Sequence, residues 1–164
     1  MRKFLFFIII IAGVVLFAVA CTRSEDVPCT DTELYFVDAR LNRLLPYNDS
    51  IIDAESEDMA QDALNKLIAG RDDNENIRRI IPDIDDCLTV RVKENVAYVD
   101  ISSDIKSEIH YSRDIEKLFV YQIVNTLTSI KGIRFVRFTI DGKIHKDFLG
   151  FYDMREVYKF TYPE

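Results

Sequence analysis

Basic charge, histidine and cysteine are all in short supply in this chain, and each shortage closes a class of function. Lysine and arginine number 21 against 28 aspartates and glutamates, a formal charge of −7. That balance disfavours nucleic acid, or anionic lipid, as a partner held by bulk electrostatics; it reads as solubility beside an anionic surface. The two histidines, His110 and His145, have no Ser or Cys nucleophile signature near them and no ligand-spaced partner, so both read as surface or loop residues. The three cysteines, Cys21, Cys29 and Cys87, have no second close Cys or His to complete a metal set. The acidic runs Asp72-Asp73-Asn74-Glu75 and Asp83-Ile84-Asp85-Asp86 lack the glycine and later glutamate of a calcium loop and read as solvated turns. Asp100 and Asp141 invite an acid–base pairing, but one ends a strand and the other belongs to a turn. No nucleophile, metal set or paired-acid constellation stands out. The sequence therefore predicts no enzyme, no metal and no cofactor. Internal repeats, low-complexity segments and a second domain are likewise missing.

What is present begins with a leader. Arg2 and Lys3 precede seventeen uncharged residues, Phe4 to Ala20, ending Ala18-Val19-Ala20-Cys21. Positive end, apolar segment and small residues are the parts of an export signal. A Cys directly after such a segment resembles a bacterial lipobox, which makes Cys21 the lipid attachment site and the new first residue. Two other fates fit the same stretch: release by an ordinary secretory peptidase acting on Ala-x-Ala, and retention as an uncleaved anchor, since the run approaches the roughly 17–25 residues that span a bilayer. All three place the domain outside the cytoplasmic membrane, and lipidation locates it on the outer face of a bacterial cell membrane. Removing Arg2 and Lys3 with the leader takes the charge from −7 to −9. Residues 1–20 are thus read as the lipoprotein signal peptide, 21–32 as a tether and 33–164 as one domain. The eleven residues from Thr22 to Thr32, fully extended, reach at most about 40 Å.

An extracytoplasmic compartment permits a disulfide. Cys29 and Cys87 are the candidates, closing a loop of about 58 residues worth about 4 kcal/mol in the chain-entropy account. The competing reading is two independent thiols, one in the tether and one buried.

Along the domain, Glu33 to Asp38 is a short β-rich run and the expected first strand. Ala39 to Ile52, with Pro46, Asn48 and Asp49, reads as a long connection. A helix follows with Ser56 or Asp53 as N-cap; Ala60, Ala63, Leu64, Leu67 and Ile68 fall on one face, and Gly70 stops it. Residues 71–76 are a charged loop, and Ile80-Ile81-Pro82 an irregular approach. Leu88 to Val92 and Ala97 to Ile101 alternate as an antiparallel hairpin. Ser112 is the expected N-cap of a second helix over Arg113 to Ser129, apolar over most of its circumference and therefore largely buried. Asn125, Thr126 and Thr128 on that helix require hydrogen-bond partners, and Asn125 is expected to brace a loop backbone. Phe135 to Ile140 is a further strand, Asp141-Gly142 a hairpin turn, and Lys143 to Phe148 a short returning edge strand. The tail is aromatic without a clear period. The order β-α-β-β-α-β(β) predicts an α/β fold of the two-layer α+β kind, two helices packed on one face of a small mixed sheet. The opposite face then carries Thr89, Arg91, Tyr98, Arg137 and Thr139. Arg91, Tyr98 and Arg137 are the candidate partner face, because arginine and tyrosine on an acidic protein are typical contact anchors; the plainer reading is a solvated sheet face.

Several stretches resemble, in order, the GerM (sporulation and spore germination) domain. They are Leu34-Tyr35-Phe36-Val37-Asp38, then Ala63 to Gly70, then Ile81-Pro82 with Leu88 to Val92 and Ala97 to Ser102. Val124-Asn125-Thr126-Leu127-Thr128 is the most specific, and Ile140 to Lys143 with Phe148-Leu149-Gly150 resembles the family's ending. The similarity covers roughly Glu33 to Asp153. The chain holds one copy, where the family's proteins in spore formers can carry two in tandem; the resemblance implies a non-enzymatic envelope domain similar to ring-building modules, which self-associate or dock on envelope proteins. It also implies a location near peptidoglycan. The expected function is that of a membrane-tethered assembly or scaffold component, in sporulation or germination. The rival is a lipoprotein binding a small ligand or peptidoglycan, which needs a pocket lined by several tyrosines.

Overall fold

The structure, a computed structural model, describes residues 28–71, 75–109 and 112–162. The leader, Cys21, the tether up to residue 27, Asp72 to Asn74 and His110 lie outside the described residues. The elements run β1 (Cys29–Asp38), β2 (Arg43–Ile52), α1 (Ser56–Ala69), β3 (Ile77–Arg78), β4 (Leu88–Lys93), β5 (Val96–Ile101), a 3-10 turn (Ser103–Ser107), α2 (Arg113–Ser129) and β6 (Phe135–Ile140). No described helix is long and apolar enough to cross a membrane.

The α/β class and both helices are as expected, but the strands divide between two sheets, β2-β1-β3 and β4-β5-β6. β1 explains the division. It pairs with β2 along its whole length, from Cys29↔Ile52 to Asp38↔Arg43. On its other side β3 matches only Val37 and Asp38. Two residues earlier the Tyr35 N–H donates instead to Thr126 Oγ1 of α2, at 2.9 Å. A helix side chain thus occupies the position where a further strand would extend the sheet.

β2 is a strand where turn chemistry predicted a connection. Pro46 lies opposite Tyr35, whose N–H points away from β2. Directly opposed antiparallel residues exchange both ladder bonds or neither, so position 46 faces the outer edge and a proline there costs no ladder bond. The bend before β2 is closed by Asp38, whose Oδ1 accepts from Arg40 N at 2.8 Å and Leu41 N at 2.7 Å. The expected tether also shortens, because Cys29 to Thr32 already belong to β1.

α1 buries Ala60, Ala63, Leu64, Leu67 and Ile68, the predicted stripe. Its N-cap is Glu55, without a side-chain cap bond, rather than Ser56 or Asp53. Gly70 ends it at φ +72°, where a Cβ would sit 2.9 Å from Arg79 Nε. α2 starts as predicted, with Ser112 Oγ accepting from Ile115 N at 3.1 Å. Phe119, Val120, Ile123, Val124 and Leu127 are fully buried on it. It also serves as the crossover that parallel pairing of β5 with β6 requires. α1 packs on β4 and β2, α2 on β1 and β6, and the helices touch each other.

The predicted edge strand after the Asp141-Gly142 turn does not form. Lys143 makes a single bridge to Ile140, and the chain then loops out and returns at Tyr158, which bridges Val136. A glutamate on α2 holds that loop. Glu116, wholly buried, accepts from Leu149 N at 2.9 Å and Phe151 N at 2.8 Å.

Candidate functional site: an open sheet face

Strict alternation in three strands builds the site. Leu88, Val90, Ala97, Val99, Ile101, Val136, Phe138 and Ile140 turn inward and are buried. The intervening residues face outward. The register aligns them in three rows across the sheet: Thr89–Asp100–Thr139, Arg91–Tyr98–Arg137 and Lys93–Val96–Phe135. The sequence could place Arg91, Tyr98 and Arg137 on one face; pairing alone puts them in one line. With strands about 4.8 Å apart, the two arginines flank Tyr98 across roughly 10 Å. Tyr98 is 40% exposed, and both arginines are exposed. Arg137 Nη2 donates to Arg155 O at 3.4 Å, while Arg134 lies over the Phe135 ring at 5.7 Å.

The one carboxylate in these rows is used internally. Asp100 Oδ1 accepts from Thr139 Oγ1 at 2.6 Å and from Gly142 N at 2.7 Å. Asp141 Oδ1 accepts from Ser103 N at 3.0 Å, and that bond holds its carboxyl below the usual range. Asp100 and Asp141 therefore brace backbone instead of forming an acid–base pair. The outward rows are left with Arg91, Lys93 and Arg137, a basic strip on an acidic chain.

The sheet edges, by contrast, are covered. Along β4, Gln61 of α1 donates to Leu88 O at 3.1 Å and accepts from Val90 N at 3.0 Å. Glu57, one turn earlier, accepts from Val92 N at 3.0 Å. Residues 57 and 61 lie one helical turn apart, which matches the two-residue repeat of a strand closely enough for the helix to act as a substitute strand. Along β6, Tyr158 exchanges both backbone bonds with Val136 at 2.9 Å. Along β2, Pro46 lacks an N–H, Ser50 N is taken by Asp49 Oδ1 and Ile52 N by Asp62 Oδ2. Such edges resist strand addition.

The other singled-out residues are structural or apart. Cys29 and Cys87 are not joined in a disulfide. Cys29 is exposed at the start of β1, whereas Cys87 is buried at the head of β4 with its thiol directed at Pro82 O, 3.8 Å away. Burial pushes that thiol's pKa up, against a nucleophile. His145 is exposed beside Asp141, and Asp83 pairs with Arg79 at 2.9 Å. No group of three metal-capable side chains converges among the described residues. Asn125 braces a backbone as expected, donating to Thr161 O at 2.8 Å and accepting from Thr161 N at 3.1 Å. Glu116 was not legible as a clamp. Its only signal is an acid one turn before Phe119 and Val120 on a helix apolar nearly all round.

No curated protein matches the chain. Solved structures share its fold, three of them as follows. A Clostridium perfringens chain provisionally described as a lipoprotein superposes with TM-score 0.57 at 18% identity, over 82% of this chain and 89% of that one. The tandem GerMN domains of the Bacillus subtilis sporulation protein GerM give 0.60 at 24% identity, over 78% of this chain and 44% of that one. The first GerMN domain alone gives 0.58 at 23% identity, over 80% and 97%. The family profile Germane, described as sporulation and spore germination, matches residues 33–146, so the chain belongs to that family.

Proposed function

We propose that this chain is a membrane-tethered, non-enzymatic assembly component of the cell envelope in sporulation or germination, held outside the cytoplasmic membrane by lipid on Cys21. Its partner surface is the outer face of β4–β5–β6, and its partner is an acidic surface on an envelope protein, a second copy of this chain included. One observation carries the reading: Arg91, Tyr98 and Arg137 stand in a single exposed cross-strand row, on the face of a sheet whose edges are capped. Arginine and tyrosine are the residue types that dominate contact energies, and a basic strip on a chain of charge −7 selects an acidic counterpart. Family membership and the leader support the setting.

The test is crosslinking and pull-down from the cells that make the protein, comparing the native chain with Arg91→Glu/Arg137→Glu. Loss of the captured partner, with thermal stability kept, is the expected result; unchanged capture removes the sheet face from the account. Cys21→Ala should release or mislocalise the protein, and continued membrane attachment would favour the uncleaved anchor.

A further inference from the structure

On a different part of the molecule, the bend into β2, one face of α2 and the tail border a half-open hollow of about 210 Å³. Arg43, Lys117, Asp114, Tyr121 and Tyr162 are the lining residues that give it chemistry. A wider hollow of about 700 Å³ shares Arg43, Leu44 and Tyr162 as a common wall and adds Tyr35, Phe160 and Glu33. Ligand sites usually enclose about 300–1,000 Å³, so the first hollow suits one ring-sized unit and the pair together suits a short chain of them.

The walls are built with care. Asn125 clamps Thr161 on both backbone groups, which fixes the residue preceding Tyr162. Phe160 meets Tyr162 edge-on at 5.1 Å and Tyr35 at 5.8 Å. Tyr162 is nevertheless 81% exposed: an aromatic face anchored from behind and open in front. The side chains of Arg43 and Lys117 have no ion pair or hydrogen bond among the described residues. Two cations, Arg43 and Lys117, and one acid, Asp114, therefore line the first hollow without a side-chain ion pair among them.

We infer that this double hollow binds an acidic sugar chain. A pyranose ring offers flat C–H faces that pack on open aromatic rings such as Tyr162. Its hydroxyls donate to carboxylates, the role open to Asp114 and to the Glu33 oxygen that does not accept from Tyr35 OH, and a ring carboxylate meets Arg43 and Lys117 as a charge-assisted pair. A peptide added as a strand along β2 is disfavoured, because Pro46 withholds an N–H and Ser50 N is already taken. None of these residues belongs to the Arg91–Tyr98–Arg137 face, so the inference stands or falls separately from the assembly role.

The experiment is calorimetric titration of the purified chain with tetragalacturonate and with its methyl ester, which keeps the sugar faces and hydroxyls but loses the charges. The acid should bind and the ester should bind about tenfold more weakly or worse. Arg43→Ala and Lys117→Ala should each weaken the acid about tenfold, Tyr162→Ala should weaken both probes, and Arg91→Glu/Arg137→Glu should change neither. Absence of binding to tetragalacturonate, equal binding of acid and ester, or unchanged affinity in Arg43→Ala and Lys117→Ala would each overturn the inference.

Discussion

Glu116 offers the sharpest test of how the tail is held. Its carboxylate is wholly buried and accepts two backbone N–H groups, from Leu149 and Phe151, on a loop without regular structure. Glu116→Ala removes both acceptors at once. Hydrogen bonds to a charged group contribute about 1.5–3 kcal/mol each, and a buried N–H left without a partner costs about 1–3 kcal/mol. Against that stands the several kcal/mol of desolvation that a buried carboxylate carries. The net expectation is a loss of about 3 kcal/mol, or roughly 10 °C in Tm for a domain of this size. Glu116→Gln separates the two contributions. It keeps one acceptor, turns a donor toward the second N–H and abolishes the charge, so about 2 kcal/mol should be lost. Urea denaturation of the three proteins measures this, and amide hydrogen exchange at Leu149 and Phe151 should accelerate before the rest of the domain. A Glu116→Gln protein as stable as the native chain would refute the reasoning, since desolvation would then outweigh the bonds.

Asn125→Ala should cost about 2 kcal/mol, from two backbone bonds to Thr161 lost together, and should flatten the near-ultraviolet signal of Phe160 and Tyr162. Gln61→Ala uncovers two β4 groups; a loss of about 1–2 kcal/mol and a rise in light scattering at high concentration are expected, the latter because an open edge recruits strands. Alkaline titration should divide the tyrosines. Burial raises Tyr35 to about 12, with the Glu33 carboxylate adding to it, and moves Tyr158 and Tyr152 upward as well. These are folded-state values above the unfolded value of about 10, so their contribution is complete below pH 10 and lost as pH rises toward 12 and beyond. Phenolate absorbance should therefore show a late class that titrates normally in denaturant. Uniform titration near pH 10 in the folded protein would contradict the burial.

Local periodicity carried much of the fold. The α1 stripe, the whole of α2 with its Ser112 cap, and the alternation of β4, β5 and β6 follow from side-chain direction on helices and strands, which needs no knowledge of neighbours. β2 was hidden because Pro46, Asn48 and Asp49 carry turn chemistry, and only an edge position makes that chemistry compatible with a strand. The missing strand after Gly142 has the converse cause. A good turn promises a partner, but after the single Lys143 bridge the β6 edge is met at Val136 by Tyr158, eighteen residues beyond Ile140. Cys29 and Cys87 were a plausible pair by compartment and count, and their separation into an exposed strand end and a buried strand head is a matter of packing.

The sequence alone determined the two helices, which residues of β4, β5 and β6 face the core, and the chemistry of the outward side chains, because these depend on spacings of two to seven residues. Tertiary structure decided the rest. It split the strands into two sheets when Thr126 took the Tyr35 N–H, and aligned Arg91, Tyr98 and Arg137 in one row through strand register. It also sealed the sheet edges with Gln61, Glu57 and Tyr158, and assembled the aromatic hollow from α2, β2 and the tail. Each of those arrangements joins groups distant in sequence, and their meeting depends on which long-range contacts satisfy the most backbone and bury the most surface.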